Sequence, residues 1–264
     1  MVITLLTDFG AADYFVGAMK GVILSINREA VVVDITHEVA PQDVREGAFT
    51  LGAASVSFPA GTIHVAVVDP GVGSARRGVL VAGGGQYFVG PDNGLFSFVY
   101  ERDHDARVFQ LTNEKYFGPK VSATFHGRDI FAPVAAALSK GVAPEEFGGE
   151  IKDYVRLTNL KPRRTEGGAI EAAIIHVDRF GNCVTNLTPA ELDEGMIAAG
   201  ARLTINGRVI TSFRRFFSEG DGGPHELFAI WGSAGYLEIA ANRASAASLL
   251  DAERGQIIKV MSDE

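Results

Sequence analysis

Up to Gly71 the chain alternates apolar runs of strand length with segments patterned as amphipathic helices, and no other feature restricts its fold as strongly. Residues 2–6 form an apolar run that ends in Thr7-Asp8-Phe9-Gly10. Residues 13–26 then place Phe15, Met19, Val22, Ile23 and Ile26 at helical spacing. A β-branched run at 31–35, small and apolar residues at 43–55, and a run at 62–68 closing on Asp69-Pro70-Gly71 complete a β-α-β-α-β pattern. Near-continuous Val/Ile/Ala strands between helices imply a parallel sheet covered on both faces. Ligands of such sheets sit beyond the carboxyl ends of the strands, which directs attention to Asp8, Asp34 and Asp69.

From Gly78 the rhythm changes. Residues 79–82 and 87–89 flank the turn Gly83-Gly84-Gly85, and Pro91-Asp92-Asn93-Gly94 is a turn signal before residues 95–99. These three runs read as added antiparallel strands. Residues 129–139 predict a short helix closed by Gly141. Pro162, three basic residues and Gly167-Gly168 mark a linker over 157–168, so two domains are expected, an α/β domain over 1–160 and a smaller one over 161–264. The second has strand-like runs at 169–177, 202–205, 227–230, 236–240 and 256–261, interrupted by one helix near 189–199. Short strands at this spacing predict an all-β, barrel-like domain.

Charge and cysteine usage narrow the function classes. The net charge of −8 lacks the basic face that phosphate neutralisation requires, which argues against nucleic-acid binding. The single cysteine, Cys183, can form neither an internal disulfide nor a thiolate zinc cluster, and a reducing, cytoplasmic setting is expected. The opening apolar run is far shorter than a signal h-region or the roughly 20 residues of a membrane span, so no membrane role is expected.

Four polar constellations stand out. Asp69-Pro70-Gly71-Val72-Gly73-Ser74-Ala75-Arg76-Arg77-Gly78 offers a carboxylate, a close-approach loop and a basic partner, or else an Asx-turn with a solvated basic pair. It is neither a dinucleotide fingerprint, since Arg76 replaces the third glycine, nor a P-loop. Thr124-Phe125-His126-Gly127-Arg128-Asp129 precedes a helix, where free backbone N–H groups and a histidine can meet a ligand. Thr7-Asp8-Phe9-Gly10 presents an acceptor-only carboxylate suited to sugar hydroxyls, or a helix-leading turn. Asp178-Arg179-Phe180-Gly181-Asn182 offers a carboxylate and an amide, or a plain hairpin turn. No metal-binding signature occurs, and only convergence in space of Asp8, Asp34, His37, His64, Asp69 and His126 would make a metal site. No G-x-S-x-G elbow is present.

Taken in order, these blocks together with Asp34-Ile35-Thr36-His37, Val68-Asp69-Pro70-Gly71-Val72-Gly73 and Pro91-Asp92-Asn93-Gly94 resemble the S-adenosyl-L-methionine hydroxide adenosyltransferase family over nearly the whole chain. The resemblance implies hydrolysis of S-adenosyl-L-methionine to adenosine and L-methionine by attack of water on ribose C5′, with no cofactor and no metal. It also implies an α/β N-terminal domain, a β-barrel C-terminal domain, and a homotrimer with sites where subunits meet. The family is similar to halide-dependent enzymes, the fluorinases and chlorinases; a halide-dependent transferase and a non-catalytic binding module are the alternatives.

Carried over by position, the resemblance implies a catalytic set of Asp69, Arg76 and His126, with Arg77 adjacent to the arginine position. It assigns substrate binding to Asp8 at the ribose, Asn93, Phe125 at the sugar, and Asp178, Asn182 and Ser233 at the amino-acid end. The fluorinase has tyrosine at the position of Asp69 and a Tyr-Ser pair at His126-Gly127, so its halide site is not expected here. Ala234 stands where the halogenating relatives carry an arginine for the methionine carboxylate. A sulfonium leaves as a neutral thioether and needs no acid, so the demand falls on the nucleophile. A carboxylate beside a guanidinium is a weak base toward water. Arg76 and His126 are therefore expected to stabilise hydroxide character while Asp69 orients them.

Overall fold

The alternation in the first part of the chain becomes a sheet whose strand ends define one functional edge. The computed structural model describes residues 1–157, 161–220 and 222–261, and these divide into two units, Met1–Leu157 and Thr158–Glu264. The boundary expected at 160/161 touches residues 158–160, which lie outside the described residues.

In the first unit, β1 (Val2–Thr7), α1 (Phe15–Ile26), β2 (Val31–Thr36), α2 (Val44–Ser55) and β3 (Ile63–Val67) follow the predicted order. β1 is central and pairs in parallel with both β2 and β3. It is buried from Ile3 onward and β3 is buried throughout, as continuous apolar runs require of strands covered on both faces. Ile3, Leu5, Val65 and Val67 pack on one face with Met19 and Ile23 of α1, while Leu6, Ala66 and Val68 pack on the other with Ala48 and Leu51 of α2. α2 starts where the Asp43 carboxylate accepts the Glu46 N–H at 3.0 Å.

The chain then runs outward as β4 (Gly78–Gly83) and returns as β5 (Gln86–Pro91), joined by Gly84 and Gly85 at φ +60° and +73°, the left-handed pair that a tight hairpin needs. β4 is antiparallel to β5, as the hairpin requires. The antiparallel expectation holds for this pair, but β5 also lies parallel to β3 and so extends the parallel sheet, which the sequence pattern did not anticipate. Residues 95–99 are also not a strand: Ser97 opens α3 (Ser97–Arg102) with its hydroxyl donated to the Gly94 carbonyl at 2.6 Å. β6 (Arg107–Gln110), α4 (Ala132–Ser139) and β7 (Glu150–Ile151) complete the unit, in sheet order β2-β1-β3-β5-β4-β6-β7. A π-type turn over Gly127–Phe131 leads into α4, so the helix predicted at 129–139 begins later than expected. Since β4 opposes β3 in direction, it starts at the edge where β3 ends, and the whole 68–77 connection stays at that edge.

The second unit is a curled, mixed half-barrel. It contains β8 (Arg163–Arg164), β9 (Ile170–Val177), β10 (Cys183–Thr185), α5 (Glu194–Ala198), β11 (Arg202–Ile205), β12 (Arg208–Ile210), β13 (Phe213–Arg214), β14 (Leu227–Trp231), β15 (Leu237–Ala241), α6 (Ala246–Leu250) and β16 (Ile257–Met261). Its order is β12-β11-β16-β9-β10-β15-β14-β13, with β8 beside β9, and β13 and β14 are parallel. The path curls until β12 lies against β14, around Ile174, Leu203, Leu237, Ile239 and Ile258. The helix expected over 189–199 is confined to α5, because Asp193 caps it by accepting from the Met196 N–H. No helix among the described residues is long and apolar enough to cross a membrane.

Candidate active site

Asp69 follows the end of β3 by two residues, at the carboxyl edge of the sheet. Its carbonyl accepts the Val72 N–H, and the Ser74 hydroxyl, donated to Gly71, accepts the Arg76 N–H in turn, so the connection folds back on itself. Gly73 makes that possible: at φ +77° it sits against the Ala123 carbonyl, where any Cβ would collide. The fold-back brings Arg76 onto Asp69. Arg76 Nε donates to both carboxylate oxygens, at 2.9 and 3.0 Å, and Nη2 donates to Oδ2. Both side chains are deeply shielded, Asp69 5% and Arg76 11% exposed. Phe131 lies beneath the guanidinium, with Cζ 5.3 Å from the ring centre.

Arg76 Nη2 also lies 2.8 Å from His126 Nδ1. A guanidinium can only donate, so Nδ1 accepts and the ring proton resides on Nε2. Burial first, and the Arg76 charge second, push the His126 pKa below its ordinary value, which keeps the imidazole neutral at pH 7. His126 precedes the π-type turn, and the Asp129 carboxylate holds this segment by accepting from the Ser122 N–H and from Arg128. The result is a carboxylate, a guanidinium and a neutral imidazole joined in one line. Arg77 points elsewhere, to Asp92 and to Asp153, and serves the fold. Adjacent residues of an extended chain face opposite ways, which separates the two arginines.

The other candidate residues fall in three places. Asp8 ends β1's connection with Oδ2 accepting the Gln42 N–H at 2.7 Å. Phe125 is buried in an aromatic cluster with Phe9 and Phe15, at centroid distances of 5.9 and 5.1 Å. Asn93 bridges backbone, donating to the Val68 carbonyl and accepting from the Leu95 N–H, and so braces the residue before Asp69. In the second unit Asp178 and Asn182 form the β9–β10 hairpin turn: Oδ1 accepts from the N–H groups of Phe180 and Asn182, and Oδ2 from the Asn182 amide. This turn leaves Phe180 79% exposed. Ser233 lies exposed between β14 and β15. Nearby, burial and then Asp178 raise the pKa of Glu238. Sequence reasoning passed over the bracing roles of Gln42 and Phe131, for which the sequence carries no signal, whereas Gly73 lies in the loop it expected to make a close approach. Among the described residues no group of three or more His, Cys, Asp or Glu side chains is arranged to hold a metal ion.

Comparison with known proteins bears directly on this arrangement. The model for the SAM hydroxide adenosyltransferase N-terminal domain matches residues 3–148, and that for the C-terminal domain matches residues 172–259. The chain belongs to this family. The (R)-S-adenosyl-L-methionine hydrolase of Thermus thermophilus is 39% identical over 97% of this chain and 98% of its own length. A fluorinase of an Actinoplanes species is more distant, at 27% identity over 98% of this chain and 97% of its own. In structure, an uncharacterised conserved protein of Thermotoga maritima superposes with a TM-score of 0.89 at 36% identity, covering 98% of this chain and 99% of that one. Within the family, then, the chain stands nearer to the hydrolase than to the fluorinase.

Proposed function

We propose that the chain hydrolyses S-adenosyl-L-methionine to adenosine and L-methionine. The observation that carries this reading within the family is the Asp69–Arg76–His126 line, with no tyrosine at the first position and a neutral histidine at the last. In the reaction a C5′–O bond forms, the C5′–S bond breaks, and its electron pair stays on sulfur as a neutral thioether. Arg76 and the Nε2–H of His126 supply donors for a water with hydroxide character, whose proton passes to solvent. Asp69, occupied by Arg76 on both oxygens, orients the donors instead of accepting the proton. Holding the oxygen in line with the C5′–S bond in a shielded site can supply roughly 7–11 kcal/mol.

Asp8 takes the ribose hydroxyls and Phe125 the sugar face, Asn93 supports the substrate side of the β3 connection, and Asp178, Asn182 and Ser233 take the methionine end. The first unit thus handles the nucleophile and the second the methionine and adenine. A homotrimer with sites where subunits meet is part of this reading, as is a cytoplasmic enzyme that uses no cofactor. The test is incubation of purified protein with S-adenosyl-L-methionine in halide-free buffer, with chromatography of the products. Adenosine and L-methionine in equal amounts, lost in Asp69→Ala, support hydrolysis. Intact substrate recovered from the protein overturns it, and turnover only on adding chloride or fluoride assigns the halide-dependent reaction instead.

A further inference from the structure

The block Asp34-Ile35-Thr36-His37 takes no part in the line around Arg76, yet it is wired to the segment that carries Asp8. A bulge in the β1–β2 pairing between Leu5 and Leu6 shifts the register so that Leu6 faces Thr36. Beyond it, His37 Nδ1 lies 2.9 Å from Thr7 Oγ1, and His37 Nε2 lies 3.1 Å from Asp34 Oδ1. Lys20 donates to the other Asp34 oxygen at 2.6 Å. The Phe9 N–H donates to Thr7 Oγ1, and the Gly10 N–H to the His37 carbonyl. Asp8 is therefore flanked on both sides by residues tied to His37.

Thr7 Oγ1 accepts from the Phe9 N–H and meets His37 Nδ1. The Asp34 carboxylate lies beside His37 Nε2 without hydrogen-bond geometry, and its negative charge favours the tautomer with the ring proton on Nε2, in which Nδ1 accepts the Thr7 hydroxyl. Thr7 is fully buried, so its hydroxyl is committed to this internal link and not to a ligand. Asp8 is held from a third side by the Gln42 N–H, presented from a residue in the left-handed region at φ +66°. That bond occupies Oδ2, and Oδ1 accepts no hydrogen bond from the described residues.

We propose that His37 and Thr7 form a positioning relay that sets the free oxygen of Asp8 for the ribose hydroxyls. This rests on the hydrolase reading, in which Asp8 meets the ribose. Glutamine reproduces the Nε2 position of histidine and asparagine the Nδ1 position, so the two replacements separate the links. His37→Gln is expected to raise KM for S-adenosyl-L-methionine about tenfold, the scale of one hydrogen bond to a charged group, with kcat within about threefold of native. His37→Asn, which keeps an acceptor for Thr7, is expected to rescue KM to within about twofold of native. Thr7→Val, equal in shape, should reproduce the His37→Gln effect. With a substrate analogue lacking both ribose hydroxyls, native and His37→Gln should bind equally.

Dissociation constants of the two ligands, measured by calorimetry, report the same comparison without turnover. Failure of the native protein to turn over substrate would count against the hydrolase reading, while the affinity comparison still decides the relay. An equal loss of affinity for both ligands in His37→Gln, or no loss for either, overturns the proposal.

Discussion

Replacing Arg76 by lysine keeps a positive charge beside Asp69 and removes the planar fork. In the native site Nε and Nη2 address both oxygens of Asp69, and Nη2 also reaches His126 Nδ1 at 2.8 Å. A lysine ammonium is a single point on a stem that stops short of the Nη2 position; drawn to the carboxylate, it leaves His126 without the donor that fixes its tautomer. The buried carboxylate remains compensated, so the melting temperature should fall by only about 2–4 °C. Loss of one preorganised donor system costs roughly 10²–10³ in kcat, about 2.7–4 kcal/mol. The assay is adenosine release at saturating substrate, beside a thermal melt of each variant. His126→Ala should lose a similar factor, and Arg76→Lys/His126→Ala no more than about threefold beyond the worse single variant, because both changes disable one unit. A kcat for Arg76→Lys within about fivefold of native, or losses that multiply in the double variant, would refute the reasoning.

Three further outcomes follow from the geometry. Since burial and Arg76 favour neutral His126, kcat/KM should hold through neutrality and fall on the acid side, below pH 6.5, where a protonated Nδ1 opposes the Arg76 donor; a pH–rate profile of native enzyme against His126→Asn, which lacks that acid limb, checks it. His64, fully buried with Nδ1 on Thr4 and its ring stacked on Phe88, has its pKa pushed down by burial from 6.5 to about 4. At about 1.4 kcal/mol per unit this favours the fold by about 3 kcal/mol, present above pH 6.5 and lost as the pH falls toward 4. Urea unfolding should therefore show native protein losing about 2 kcal/mol more than His64→Phe between pH 7 and 5, and parallel losses would contradict it. Gly73→Ala, at φ +77° and against the Ala123 carbonyl, should cost at least about 2 kcal/mol in a denaturant melt and lower kcat by displacing Arg76; a variant with native kcat and stability would show that the loop does not depend on this glycine.

The parallel half of the first sheet was legible because β1 and β3, buried on both faces, read as unbroken apolar runs, and because the small and apolar residues of 43–55 between them fit the helix α2. Residues 95–99 misled for the same reason in reverse. Leu95, Phe96, Phe98 and Val99 have strand-like side chains, and what makes the segment turn is the Ser97 hydroxyl on Gly94, a local bond that periodicity does not register. In the second unit β10, β12 and β13 are two or three residues long, too short for any period to appear. At the site, Asp69 and His126 could be picked out as polar residues in loops. The choice between Arg76 and Arg77 was beyond sequence because it depends on which face of an extended segment meets which carboxylate. The relay through His37 was hidden likewise, since a bulge decides whether Thr7 and His37 meet.

The return of β4 along the edge where β3 ends gives the site a history during folding. Asp69 and Arg76 are separated by seven positions and need only the turn between them, whereas Arg76 and His126 are fifty apart. Closing the longer loop costs about 1.7 kcal/mol more in chain entropy. The ion pair is thus expected to close while the β4–β5 hairpin zips, with the imidazole arriving only when α4 docks on the sheet. A chain caught between these stages would hold its carboxylate already neutralised by the guanidinium, so the early intermediate would not carry a lone charge into a forming core.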